Sequence, residues 1–196
     1  IKKSYNTGRD WKTGGGSMSS WLDQVRLDHA LRKLQQEDKK AWGEIYQLLY
    51  PTIFRYTFSL VKDYYQAEDI TQEVFIRIEK YKHRYVPGTN VKAWVYQMTK
   101  NLIYTKLRQK KEVAIEDEKL DFLIQQECLK PTTDLSFVND ALGCLTEKEK
   151  QVVTLHLYGG LKHYETAKVL HLPYSKVRST YTYALAKIRK KLGGRL

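Results

Sequence analysis

The sequence predicts an all-α protein of two small helical domains joined by an acidic linker, and three observations predict it. Apolar residues recur at spacings of three and four along most of the chain, and no window sustains the period-two alternation of a half-buried strand. The 196 residues suit two compact units, since domains commonly hold roughly 100 to 150 residues. Charge is arranged in blocks: residues 80–111 carry nine Lys or Arg and no acid, residues 173–196 carry seven and no acid, and residues 112–134 between them carry seven acids against two lysines.

The elements follow in order. Residues 1–17, with Gly14-Gly15-Gly16-Ser17 before a candidate natural start at Met18, read as a flexible tail or tether; the first domain is placed at 19–111. A helix is expected from Ser20, a possible N-cap, with Leu27, Leu31 and Leu34 on one side. Trp42, Ile45, Leu48 and Leu49 extend the pattern to Pro51, where it is expected to break before a helix over 52–61. Further helices are predicted over 65–81 and 91–111, with a loop at Pro87-Gly88. The linker is placed at 112–134, with an amphipathic patch at Leu120, Leu123 and Ile124, and the second domain at 135–196. In that domain Thr146 and Glu149 form a capping box for a helix over 147–157, followed by helices over 164–170 and 174–192.

The net charge of +12 and pI near 9.5 are the footprint of a polyanion binder. Cys128 and Cys144 form no CxxC pair and no Cys/His cluster, so neither zinc nor a disulfide framework is suggested. No apolar run reaches the ~18 residues of a membrane span and no signal core is recognisable, which points to a cytoplasmic protein without membrane insertion.

In the helix over 65–81, Ile70, Val74, Phe75, Ile78 and Tyr81 share an inward arc. The opposite side presents Asp69, Gln72, Glu73 and Ile76, an apolar residue framed by acids and an amide. On geometry alone, a protein-docking patch and a plain solvated face stand level. In the helix over 91–111, Val95, Met98, Leu102 and Thr105 face inward, while Gln97, Lys100, Asn101, Tyr104 and Arg108 share another face. Cations suit phosphates, amides suit base edges and rings suit stacked bases, although a solvated polar face has the same composition. In the last helix Val177, Tyr181, Ala184, Ile188 and Leu192 form a buried stripe. Lys176, Arg178, Ser179, Thr180, Tyr183, Lys187 and Lys190 lie outside that stripe. The turn at His171-Leu172-Pro173 makes the whole a helix-turn-helix, a pattern also found in proteins that never touch DNA.

Three stretches carry a resemblance. The segment Ala67-Glu68-Asp69-Ile70-Thr71-Gln72-Glu73-Val74-Phe75-Ile76-Arg77-Ile78 resembles the region 2 signature helix of bacterial sigma factors. The segment Trp94-Val95-Tyr96-Gln97-Met98-Thr99-Lys100-Asn101-Leu102 is similar to their helix that reads the minus-ten element. The segments Leu145-Thr146-Glu147-Lys148-Glu149, Tyr164-Glu165-Thr166-Ala167 and Val177-Arg178-Ser179 resemble region 4, which reads the minus-thirty-five element. The chain is thus similar to sigma factors of the extracytoplasmic-function class. The resemblance implies core RNA polymerase, promoter DNA (duplex and melted) and an anti-sigma factor or other regulator as partners, no cofactor and no catalysis of its own. It implies contact with polymerase through Asp69, Gln72, Glu73 and Ile76. It implies contact with the minus-ten element through Gln97, Lys100, Asn101, Tyr104 and Arg108. The loop over 85–92 matches the segment that captures a flipped base, with Tyr85 suited to stacking, Asn90 to hydrogen bonding and Lys92 to phosphate. The seven residues outside the stripe of the last helix fall on the minus-thirty-five reader. The linker is implied to thread the polymerase cleft.

The sequence departs from the family pattern at Gln97, where Arg is common, and at Thr99, where a small Ala is usual. His171 replaces a turn glycine, and Lys176 and Thr180 replace a usual Thr and Arg, so an altered minus-thirty-five preference is expected. A stand-alone helix-turn-helix regulator is the alternative, but it leaves the helix bearing Asp69 to Ile78 unexplained. A nucleic-acid enzyme lacks a phosphate loop or a carboxylate cluster with metal spacing. Opening about ten base-pair steps at ~1.4 kcal/mol each costs ~14 kcal/mol, more than the ~12 kcal/mol of a whole nanomolar interface. Melting must therefore draw on polymerase as well.

Overall fold

A computed structural model of the chain describes residues 18–116 and 140–193. Among the described residues the principal helices are α1 (Met18–Gln35), α2 (Ala41–Val61), α3 (Tyr64–Tyr81), α4 (Val91–Glu116), α5 (Glu147–Leu157), α6 (His163–Leu170) and α7 (Tyr174–Leu192). A short 3-10 turn, Lys82–Arg84, follows α3, and there is no strand among the described residues, as an all-α fold requires. The tail over 1–17, most of the linker and Cys128 lie outside the described residues; α4 itself continues five residues beyond the predicted boundary at Lys111.

Helices α1 to α4 form the first unit around Leu27, Leu31, Leu34, Ile45, Leu49, Ile53, Tyr56, Ile70, Val74, Ile78, Val95 and Leu102, all at most 1% exposed. The predicted break at Pro51 does not occur, because α2 runs through it. Proline inside a helix costs about 3 kcal/mol. Ile45, Leu49, Ile53, Tyr56 and Leu60 nevertheless make one unbroken buried stripe on either side of it. Burying each such side chain contributes about 1.5 to 3 kcal/mol, so a continuous stripe outweighs one lost hydrogen bond. Ser20, the expected cap, lies inside α1, which is already helical at Met18. Asp63 caps α3 by accepting from the Gln66 backbone N–H at 3.0 Å.

Helices α5 to α7 form the second unit. The capping box is present: the Thr146 side chain accepts from the Glu149 N–H, and the Glu149 carboxylate accepts from the Thr146 N–H at 2.9 Å. Val152 of α5, Ala167 of α6 and Val177 of α7 pack together, and Ala184 closes against Leu142, Leu145 and Val153. His171 ends α6 in the left-handed conformation at φ 53°, the geometry that the glycine-like position demands.

The two units share a core. Leu155, Leu161 and Val169 of the second join the cluster formed by Tyr56, Tyr96, Leu102 and Ile103 of the first. Tyr96 is fully buried there, its ring meeting that of Tyr56 edge-on at 5.2 Å. Nothing in the charge pattern or the helical periodicity signals that contact, because it joins residues far apart in the chain.

Candidate nucleic-acid interface

The outer face of α3 is open. Asp69 and Gln72 are exposed, and Ile76 is 67% exposed. Glu73 is half-buried and paired with Arg77 at 2.6 Å and Lys106 at 3.4 Å. Burial works against its charge, yet Arg77 and Lys106 prevail and hold the carboxyl below its ordinary value. Of the inward arc, Ile70, Val74, Phe75 and Ile78 are buried as predicted, but Tyr81 is half-exposed beneath Arg84, whose guanidinium sits 4.8 Å from the ring centre.

The loop over 85–90 is held by α1. Asp28 accepts from the Tyr85 hydroxyl at 2.6 Å and from the Gly88 N–H at 2.8 Å, and pairs with Arg32 at 2.7 Å. Gln24 donates to the Thr89 carbonyl, and Gln35 to the carbonyls of Lys82 and Tyr85. Gly88 takes φ 82°, a conformation glycine adopts without strain. Burial and the neighbouring Asp28 push the Tyr85 hydroxyl pKa up. Burial alone would raise the pKa of Asp28, but Tyr85, Gly88 and Arg32 together hold its carboxyl below the usual value. The expected stacking role for Tyr85 therefore meets a geometric objection: the ring is 2% exposed, committed to Asp28 and tilted against Trp94 at 5.5 Å. In this arrangement it fixes the loop and offers no free face.

The reading face of α4 is covered at its N-terminal end. Lys92 and Lys100 are each only 9% exposed, and burial pushes both amines below their ordinary pKa, Lys92 despite the pull of Asp23 and Glu165. Part of that cover comes from the second unit. Asn90 donates to Glu165 at 2.7 Å, Lys100 Nζ donates to the Val169 carbonyl at 2.6 Å, and Gln151 donates to the Tyr104 hydroxyl. Val169 lies in the last turn of α6, where carbonyls lack helical partners and the helix dipole favours a cation. Gln97 is half-buried, while Asn101, Tyr104 and Arg108 are exposed. Thr105, expected to face inward, is exposed and donates to the Asn101 carbonyl.

On α7, Val177 and Ala184 are fully buried and Tyr181, Ile188 and Leu192 partly so, which is the predicted stripe. Lys176, Arg178, Ser179 and Lys190 are exposed, Tyr183 is 67% exposed and Thr180 is half-buried. Lys187 departs from the phosphate role expected of it, since its amine bridges both oxygens of Glu149 at 2.8 and 2.9 Å and ties α7 to the capping box of α5. That pairing raises the amine's pKa. Among the described residues no group of three or more His, Cys, Asp or Glu is arranged to hold a metal ion, and no helix is long and apolar enough to cross a membrane.

The sequence did not reveal Asp28, Gln24 and Gln35, nor Gln151, Glu149 and the clasping role of Glu165. Each acts across 38 to 75 residues of chain, beyond the reach of local pattern. Only the reciprocal cap at Glu149 left a local signal.

Comparison with known proteins agrees with this layout. Residues 45–113 match the family described as sigma-70 region 2, and residues 141–190 match sigma-70 region 4. The ECF RNA polymerase sigma factor SigM of Bacillus subtilis is 27% identical over 150 residues, spanning 74% of this chain and 91% of that protein. SigX of the same organism is 26% identical over 163 residues, 76% of this chain and 84% of its own length. Among solved structures, the sigma factor RpoE bound to the anti-sigma factor NepR from Bartonella quintana has a similar fold, with a TM-score of 0.68 at 19% identity over 79% of this chain and 98% of that one. With both regions matched in order, each on the unit the structure builds for it, the chain belongs to the sigma-70 family and, within it, to the extracytoplasmic-function sigma factors.

Proposed function

We propose that this chain docks on core RNA polymerase through the outer face of α3 and directs initiation by reading promoter DNA with α4 and α7. The observation that carries the reading is the separation of faces: the acidic and apolar patch of Asp69, Gln72 and Ile76 lies on a different helix from both cationic readers and stays open while the core is complete. Lys100, Asn101, Tyr104 and Arg108 serve the minus-ten element, with Gln97, Asn90 and Lys92 beside them. Lys176, Arg178, Ser179, Thr180, Tyr183 and Lys190 serve the minus-thirty-five element. Tyr85 acts by holding the loop, and Lys187 by bracing the second unit. Catalysis belongs to the polymerase in this reading. The chain works in the cytoplasm, and an anti-sigma factor is a fitting regulator for it.

Reversing Asp69 and Glu73 to Lys tests the docking face. Co-purification with core polymerase should be lost while helicity is retained. Undiminished binding would remove the α3 face from the account.

A further inference from the structure

Beside the loop over 85–90 lies a flat group that the proposed function leaves idle. Asp28 uses its two carboxylate oxygens separately: Oδ1 accepts from the Tyr85 hydroxyl at 2.6 Å and from the Gly88 N–H at 2.8 Å, and Oδ2 pairs with Arg32 Nη2 at 2.7 Å. One carboxylate therefore fixes both the loop and the guanidinium. The same Arg32 nitrogen lies 3.8 Å from the point at which a side chain on Gly88 would begin, so the bare α-carbon lets the guanidinium close on the loop. The Arg32 side chain is still 49% exposed, and Val86, Pro87, Gly88 and Thr89 of the loop are exposed as well. Three other flat groups that lead into the loop or pack on it are engaged elsewhere: Trp94 leans on Tyr85, Arg84 lies over the Tyr81 ring at 4.8 Å, and His83 turns toward Glu37 at 3.8 Å.

We propose that the Arg32 guanidinium of α1 is the surface on which a base of the single strand stacks at the 85–90 loop, the role that the buried Tyr85 ring cannot fill. The inference rests on the function proposed above and adds the stacking residue. Unpaired bases stack on guanidinium planes as they do on aromatic rings, and every base offers a π face, so the contact asks for no particular base. Asp28 holds one edge of the guanidinium, and a planar fork already held in place loses little freedom when a base arrives. The ion pair is neutral as a whole, and its carboxylate repels a phosphate while its guanidinium attracts one. A base is therefore a better match for it than the strand backbone. Lysine has the charge of arginine without the plane, so Arg32→Lys separates the two kinds of contact.

The test uses the full chain and a fluorescein-labelled, twelve-nucleotide single-stranded DNA of random sequence, read by anisotropy over a series of salt concentrations. Arg32→Ala and Arg32→Lys should each bind the strand about tenfold more weakly, with the slope of log affinity against log salt unchanged. Both should melt near the wild-type temperature, because Arg32 is half exposed and such a pair adds little stability. A phosphate contact behaves otherwise: Arg32→Lys keeps the affinity, and Arg32→Ala lowers the single-strand slope by about 0.7. Either result overturns the stacking. A second measurement is independent of how the variants fold or bind. In the wild-type chain the Arg32 Nε–Hε resonance, identified by its absence from Arg32→Lys, should move upfield as unlabelled strand is added, since a proton stacked over a base ring is shielded. A downfield move, or none, overturns the proposal. Asn101, exposed on α4, reports on the underlying function. Strand binding that Asn101→Ala weakens and Arg32→Ala leaves intact defeats this inference alone, whereas a wild-type chain that binds no strand removes the strand-reading function and the stacking role with it.

Discussion

Replacing Asp28 and Tyr85 singly and together measures the brace under the 85–90 loop. Asp28→Ala removes a charged acceptor from the Tyr85 hydroxyl and the Gly88 N–H, and an ion pair with Arg32. A hydrogen bond to a charged group contributes about 1.5 to 3 kcal/mol, and an exposed ion pair about 0 to 1 kcal/mol. The loss is limited at its other end: the Thr89 carbonyl lies 2.8 Å from the same hydroxyl, and Gly88 is exposed to water, so no donor is stranded. The single change should therefore cost about 2 kcal/mol, and Tyr85→Phe about 1.5 kcal/mol, the low end for a bond to a charged group. Because both remove the same contact, the double variant should cost about 1 kcal/mol less than the sum. Urea unfolding followed by circular dichroism reads all three. The pH dependence has a fixed sign. The Asp28 carboxyl is held below its ordinary 3.8, so its stabilisation is complete above that value. The gap between wild type and Asp28→Ala should close only as pH falls through the lowered value. Strictly additive costs, or a gap that closes near neutrality, would refute the brace.

Three further outcomes are expected. Lys190→Ala should lower the salt slope of duplex binding by about one, whereas Lys187→Ala should leave the slope alone and lower the melting temperature, because Lys187 is engaged with Glu149. His171→Gly should stabilise the chain by about 1 kcal/mol, less what glycine adds to the freedom of the unfolded chain, as read by chemical denaturation; a loss of stability would contradict the strain assigned to φ 53°. His163 is held below its ordinary 6.5 by burial, then by His156 and Arg178, so the unfolded chain takes up this proton more readily than the folded one. Stability should fall as pH drops through the range just below 6.5, before the carboxylates titrate, and His163→Gln should flatten that fall in thermal melts.

The helices were legible wherever one periodic face met one core. Ile70, Val74 and Ile78, the stripe from Val177 to Leu192, and the box at Thr146 and Glu149 are set by local spacing and capping, and they appear as read. Pro51 misled because its local cost is real, while the buried stripe that exceeds it extends along the whole of α2. Cationic residues were the least legible. Lys82 belongs to the first basic block, yet it is 4% exposed and its amine meets Glu37 and Glu79 at 2.9 and 2.8 Å. Lys187 in the second block is likewise taken by an acid distant in sequence. A run of like charge reports where the field is positive, but which member of the run faces solvent depends on acids brought in by the fold.

The residues assigned to the three partners in the proposed function differ in exposure. Asp69, Gln72 and Ile76 on α3, and Lys176, Arg178, Ser179 and Tyr183 on α7, are open, whereas Lys92 and Lys100 are not. Under the proposed function, polymerase and duplex would meet exposed surfaces on α3 and α7, and the single strand a face of α4 on which Asn101, Tyr104 and Arg108 are exposed and Lys92 and Lys100 are buried. Opening ten base-pair steps already costs ~14 kcal/mol, and separating the two units adds the exposure of Tyr96, Leu155, Leu161 and Val169 to that demand.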